Sequence, residues 1–593
     1  MSLRALAMAA ALTVATISLA IPVSAAPEPT LGVQLQMHVR IAMRDGTWLN
    51  ATLFRPADQS TPAPVVMMLT PYAGDAGHPS ADYFTRHGGL VYAFVDARGR
   101  GDSPGDFRPL QREGEDGYDA VEWLAKQPWS NGQVAMFGGS YAGGDQWQVA
   151  ALHPPHLAAI APVASVRAGV DWPMSNNMFT TYDVQWLTYT AGHALYTNLF
   201  NDGELWNRGN RRFFKSGKAY ADLDTELGSP NANFHEWLQH PTFDDYWRRL
   251  ALPSEQVAGV KLPMLVITGS HDGDQGGTLS FYRDHLNRDG SLPSNYFLVV
   301  GPWDHFGTRE PRQNFGGEHY GDASMVDVLK LHLDWYRHVL QGGPKPAFFQ
   351  KNVAYYVAGP DAECWRFADS LAGATARTET QFLNAKAGGG DLAHVGALQS
   401  GAAGAVGGQW VSDPSDLHNA EPKDAEPGGD LHGDGLVFEG APLAATTELT
   451  GQVDLKLSLA IDGPDADLAY VLFLVTEDGK LHSLTQSLVR ARYRTSLEHE
   501  TLVTPGKVET YDMGRGLWFS VRAPKGSHLR LLVESLNDPS AEKNWNDAKP
   551  VAEQSSGDAH RETIRLVQTA EHPSTLTLPL GDTNGTCKAS ASW

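Results

Sequence analysis

Between residues 36 and 165 the chain alternates short apolar runs with segments of helical period. The runs PVVMML (64–69) and VYAFVD (91–96) have no polar residue in their interiors, which predicts strands covered on both faces. Before VAMFG (134–138), Tyr118, Val121 and Leu124 recur at the spacing of one helical face. Strand, helix and strand in that order predict right-handed crossovers and a parallel sheet. From about 170 to 254 such runs vanish and five tryptophans appear, Trp172, Trp186, Trp206, Trp237 and Trp247, predicting a mostly helical insertion. Strand signals resume at PMLVITG (263–269) and YFLVVG (296–301). A helix follows, with Val326, Leu329, Leu333, Tyr336 and Leu340 on one face and Gly342 and Gly343 at its end. Beyond about 347, short segments such as VAYYVAG, GQVDLKLSLAID, AYVLFLVT and LRLLVES are separated by Gly, Pro, Asp and Asn. They predict an antiparallel β-domain, a sandwich or jelly roll, carrying a long surface loop at 413–435.

A chain of 593 residues is too long for one core, so several domains are expected. Residues 1–25 read as a cleaved secretory signal: Arg4, an uncharged apolar run from Ala5 to Ile21, and the small-residue site VSA ending at Ala25. The expected divisions are then 30–168 and 255–345 for the two parts of the α/β domain, 169–254 for the helical cap, and 346–593 for the β-domain. The mature protein is expected to be soluble and secreted or periplasmic. The net charge of −22 argues against nucleic acid and anionic membrane surfaces as partners. The only cysteines, Cys364 and Cys587, cannot form a disulfide framework or a zinc site, and whether they pair is left open by the sequence.

The stretch GQVAMFGGSYAGGDQWQVAAL (132–152) crowds glycines around Ser140. A serine becomes a nucleophile when a base reaches it and it stands clear of its surroundings. A sharp strand-to-helix turn achieves the second condition only if neighbouring residues are small. The usual pattern is G-x-S-x-G; here it runs Gly138-Gly139-Ser140-Tyr141-Ala142, with alanine in the last place. Acid and histidine candidates follow in the order this pattern requires. Asp272 lies in GSHDGDQGG after one strand signal and His305 in GPWDHFG after the next.

With these residues in place, the chain resembles the X-Pro dipeptidyl-peptidase and cocaine esterase family of serine hydrolases, which includes the α-amino-acid ester hydrolases. The resemblance is carried by MRDGTWLNATLFRP, TPY (70–72), DARGRGDSPGDF, EDGYDAVEWLAKQPWSNGQVAMFGGSYAG, GSHDG and GPWDHFG, and weakly by HPTFDDYW and LVRARYR. It implies an α/β-hydrolase fold with a doubly wound sheet, a helical cap and a C-terminal jelly roll. It implies Ser140 as nucleophile, His305 as base and acid, and Asp272 as the carboxylate orienting the imidazole. It further implies an oxyanion hole made by the Tyr141 backbone N–H and the Tyr72 hydroxyl. No cofactor or metal is implied.

Family members cleave simple esters, α-amino-acid esters and amides, or X-Pro dipeptides, so the substrate is expected to be a small ester, amide or short peptide. The amino-ester hydrolases hold an ammonium in a carboxylate cluster. At the matching places this chain has Asp274, Gln275 and, in SNNMF, Asn176 and Asn177, which weakens that reading. The preferred reading is an exported esterase or amidase with an apolar acyl pocket, its substrate-binding candidates being Asp274, Trp172 and Trp303. An ammonium-reading hydrolase using Asp274 with Asp171 or Asp183 stays open, as does a binding protein built on an inactive hydrolase fold. Three weaker signals are set aside. Arg100-Gly101-Asp102 is read as a turn, DGDQGG lacks the carboxylates of a calcium loop, and Asp304 is too near His305 in sequence to serve its ring.

Overall fold

The computed structural model describes residues 31–73, 77–359, 362–384, 395–401, 407–417, 435–585 and 587. The signal segment 1–25 lies outside them, as does most of the loop expected at 413–435. The first part of the α/β domain contains β1 (Val33–Ala42), β2 (Trp48–Pro56), β3 (Ala63–Thr70), α1 (His78–Gly88) and β4 (Val91–Asp96). It continues through α2 (Glu113–Ala125), β5 (Ser130–Gly139), α3 (Tyr141–Ala150) and β6 (Leu157–Val163). The cap opens with a small hairpin, β7 (Met174–Ser175) and β8 (Met178–Phe179). Its helices are α4 (Tyr182–Tyr189), α5 (Thr197–Phe200), α6 (Gly203–Ser216), α7 (Leu223–Glu226), α8 (Ala232–Leu238), α9 (Asp245–Leu250) and α10 (Ser254–Gly259). The α/β domain then resumes with β9 (Met264–His271), α11 (Gln275–Asp284) and β10 (Tyr296–Asp304). A hairpin β11 (Asn314–Phe315) and β12 (Glu318–His319) precedes α12 (Val328–Gln341), β13 (Val353–Val357) and β14 (Cys364–Ala368).

These strands form one sheet in the order β1-β2-β4-β3-β5-β6-β9-β10-β13-β14. The interior pairs from β4 to β13 are parallel and both edges are antiparallel. The unbroken runs are explained by burial on two faces. Val65, Met67 and Leu69 of β3 join one core with α2, α3 and α11, while Val66 joins a second core with α1 and α12. Helix α12 ends at Gly342, whose φ of 70° is the left-handed stop that the glycine pair announced.

One segment departs from the sequence reading. VAYYV, assigned there to the antiparallel β-domain, is β13 and pairs parallel with β10, Leu298 beside Val353. The central sheet therefore reaches Ala368. The β-domain strands run from Arg377 to Leu580 around a separate core that includes Leu455, Leu457, Leu472 and Leu531. Almost all of its pairings are antiparallel, as expected for its class. Cys364 at the sheet edge is bonded to Cys587.

The β-domain also grips the loops around the central sheet. Trp518 N–H donates to Gln275 Oε1 at 2.6 Å, and Gln275 Nε2 returns a bond to the Trp518 carbonyl at 2.9 Å. Asn176 and Asn177, at φ 49° and 60° in the cap hairpin's turn, donate to the carbonyls of Leu488 and Leu497. Both asparagines and Gln275 thus bind peptide groups of the β-domain.

Candidate active site

Ser140 joins β5 to α3 at φ 64° and ψ −125°, a backbone that a residue with a β-carbon disfavours. Close packing around this turn explains the glycines. A Cβ on Gly138 would fall 2.5 Å from the Ala142 carbonyl oxygen and 2.8 Å from its methyl group. Ala142 is accommodated because Gly138 leaves that space open. Gly143 and Gly144 press on the carbonyls of Val163 and Val166, where a Cβ would come within 2.7 Å of each oxygen.

Asp272 follows β9 and His305 follows β10, and the two strands are parallel neighbours. Asp272 is completely buried; its Oδ1 lies 2.9 Å from His305 Nδ1 and also accepts the Asp274 N–H at 3.0 Å. Its Oδ2 accepts the Thr268 hydroxyl at 2.8 Å. Burial alone would raise this carboxyl, but the imidazole and these donors hold it below its ordinary range. An ionised acceptor at Nδ1 leaves Nε2 as the basic nitrogen. Asp304 is committed elsewhere: it binds Arg312 at 2.9 Å and accepts the Gly307 N–H.

The Tyr72 hydroxyl accepts the Trp186 Nε1–H at 3.1 Å and lies near enough to the Ser140 side chain for the serine to ease its ionisation. Burial pushes this phenol up to about 12, so it stays protonated at neutral pH. The loop bearing it is braced by the fully buried Arg100, whose Nε donates to the Pro71 carbonyl at 2.7 Å. That burial removes Arg100-Gly101-Asp102 from consideration as a surface motif. Tyr141 opens α3, where backbone N–H groups lack intrahelical acceptors. Its phenol donates to Glu113 and accepts the Leu110 N–H at 2.6 Å. Burial pushes Glu113 up to about 7 against that bond.

Trp186 of α4 is the residue that sequence reasoning missed. Its ring stacks on Tyr141 at 5.4 Å, so one cap side chain touches both residues expected to serve the oxyanion. It also meets Trp172 edge-on at 4.7 Å, placing Trp172 in the aromatic cluster over Tyr141. Tyr189 stacks on Tyr72 at 5.5 Å and Phe200 on Tyr189 at 4.5 Å, extending the aromatic wall outward. Trp303 belongs elsewhere. It is 1% exposed, packs against Trp365, and donates its Nε1–H to the Ser324 carbonyl, so it is a core residue and not a substrate contact.

Asp274 Oδ2 lies 3.4 Å from His305 Nδ1. Burial and the neighbouring Asp171 and Asp272 hold it above the ordinary carboxylate range. Asp171 is raised too, chiefly by burial, and accepts the Arg167 and Gly277 N–H groups. Asp183 instead accepts the Thr180 N–H and feels Glu542 of the β-domain. Among the described residues, Asp272, Asp274 and His305 alone have metal-ligand spacing, their atoms lying within 4.8 Å of one another. The Nδ1–Oδ1 contact already commits two of the three.

Two family models cover most of the chain. Residues 45–307 match the X-Pro dipeptidyl-peptidase (S15 family), and residues 348–577 match the X-Pro dipeptidyl-peptidase C-terminal non-catalytic domain. The chain belongs to the X-Pro dipeptidyl-peptidase and cocaine esterase family. As a member of that family it is a serine hydrolase, an esterase or peptidase. The family's cocaine esterase from Rhodococcus sp. (strain MB1 Bresler) is 27% identical over 598 residues, covering 92% of this chain and 98% of its own. Two solved structures share the family's two-domain α/β-hydrolase fold. An aminopeptidase from a marine-sediment Thaumarchaeota archaeon superposes with a TM-score of 0.77 at 21% identity, covering 95% of this chain and 99% of its own. An α-amino acid ester hydrolase superposes with a TM-score of 0.77 at 22% identity, covering 94% and 98%.

Proposed function

We propose that this chain is an exported hydrolase that cleaves esters or amides of small, apolar acyl groups through an acyl-enzyme on Ser140. The observation that carries the reading is the meeting of the Ser140 turn with Tyr72, whose hydroxyl is bonded to Trp186 and lies beside Ser140. Ser140 Oγ attacks the acyl carbon while its proton passes to His305 Nε2, and Asp272 stabilises the imidazolium. The Tyr141 N–H and the Tyr72 hydroxyl donate to the tetrahedral oxyanion. On collapse, the imidazolium returns the proton to the departing alcohol or amine. Water, deprotonated by the same imidazole, then releases the acid and restores Ser140. Trp172, Trp186 and Tyr72 offer the acyl group an aromatic wall. Export rests on residues 1–25.

A second reading, recognition of a free α-ammonium, is favoured by Asp274 beside His305 and by Asp171 near Asp274. It ranks second because backbone N–H groups occupy both Asp171 oxygens and both acids are held above their ordinary range. The pair therefore offers less negative charge than two free carboxylates. Comparing kcat/KM for phenylglycine methyl ester and its N-acetyl derivative separates the readings, with Ser140→Ala as blank. Equal rates or a preference for the acetylated ester support the first; strong preference for the free amine supports the second. Folded protein with no turnover above the blank would point to a binding role.

A further inference from the structure

We propose that Arg309 reads a carboxylate on the substrate's leaving group, a proposal that rests on Ser140 as nucleophile and His305 as its base. Arg309 lies against the backbone that precedes the nucleophile. A Cβ built on Gly139 would fall 2.6 Å from Arg309 Nη1 and 3.0 Å from its Cδ. Its Nη2 donates to the His305 carbonyl at 2.9 Å, and its guanidinium carbon is 5.8 Å from the centre of the Phe306 ring. The positive charge is felt at Tyr72, Tyr182 and Asp274, three groups that surround the site.

This cation is partly buried, and among the described residues no carboxylate forms an ion pair with it. The contrast with Arg312 is instructive. Asp304, the residue before His305, takes Arg312 at 2.9 Å and leaves Arg309 without an acid. Bracing the His305 carbonyl uses one N–H of five, and the rest of the planar fork has the geometry of a carboxylate. In a chain of net charge −22, with the ionised Asp272 bonded to the imidazole, an anionic leaving group would otherwise be repelled.

Position decides which half of the substrate is read. The imidazole that takes the Ser140 proton must hand it to the leaving group, so that group departs on the imidazole side. Arg309 is bonded to the His305 backbone, whereas the aromatic wall comes from Tyr72 and the cap. The substrate class that follows is an ester or amide whose alcohol or amine carries a carboxylate, as the C-terminal residue of a short peptide does.

The test uses the full chain with 3-acetoxybenzoate and 3-acetoxybenzamide, which differ only in the leaving group's charge. The wild type is expected to favour the acid in kcat/KM by on the order of tenfold, the lower range for a hydrogen bond to a charged group. Arg309→Gln should bring the ratio to about one, and Arg309→Lys should leave it between the two. A wild type without preference overturns the proposal before any variant is made. So does a ratio unchanged in Arg309→Gln, even if both rates fall together, as loss of a mere brace would cause. If neither ester turns over faster than with Ser140→Ala, the nucleophile assignment itself fails and Arg309's role falls with it.

Discussion

Tyr72 accepts the Trp186 Nε1–H, which leaves its own proton free to donate to the oxyanion. Tyr72→Phe should lower kcat on the order of a hundredfold without unfolding the protein, the usual effect of losing one oxyanion donor. Trp186→Phe keeps the stacking and removes the donor, and should lower kcat about tenfold. In a Tyr72→Phe background the same change should cost far less, because the two residues act as one unit. Full additivity of the two losses would show that Trp186 acts elsewhere. At this scale the sequence was legible where order along the chain carries the chemistry, as for Ser140, Asp272 and His305. It was not legible for Trp186, whose partner lies 114 residues away and which looks like any other cap tryptophan. Trp303 misled because closeness to His305 in sequence says nothing about which face of β10 its ring joins.

The turn between β5 and α3 holds Ser140 in a backbone suited to glycine. Ser140→Gly should abolish turnover and raise stability by about 1 kcal/mol, since the strain relieved exceeds the added freedom of the unfolded chain. A loss of stability in chemical denaturation would contradict that account of the turn. The elements themselves followed from unbroken runs and helical spacing, because a parallel sheet buried on both faces leaves that imprint. VAYYV carried the same imprint, with all five residues buried. It was misread because its antiparallel neighbour β14 and the glycine-rich segments that follow belong to the pattern of the β-domain. Gln275 looked like a lost acid, yet the structure shows it gripping the Trp518 backbone.

Across the whole molecule, cap and β-domain meet at Lys543, whose ammonium lies 3.7 Å from the Phe214 ring centre and 4.2 Å from that of Trp545. Burial brings this amine down to about 7. Between pH 7 and its ordinary value near 10.5 the unfolded chain binds the proton and the folded one does not, so stability should rise with pH across that window. Lys543→Met should therefore be more stable than wild type, with the widest gap in melting temperature at or below pH 7 and a narrow one by pH 10. A gap that does not change with pH would contradict the buried amine. Nothing in the sequence marked this lysine, since its aromatic neighbours arrive from different domains. The most direct measurement of the central claim is fluorophosphonate labelling of the full chain, read by intact-protein and peptide mass spectrometry. One adduct, on the peptide containing Ser140 and strongly slowed in His305→Ala, is the expected result. A folded protein that takes no label, or takes it at another residue, would contradict the assignment of Ser140 as the nucleophile.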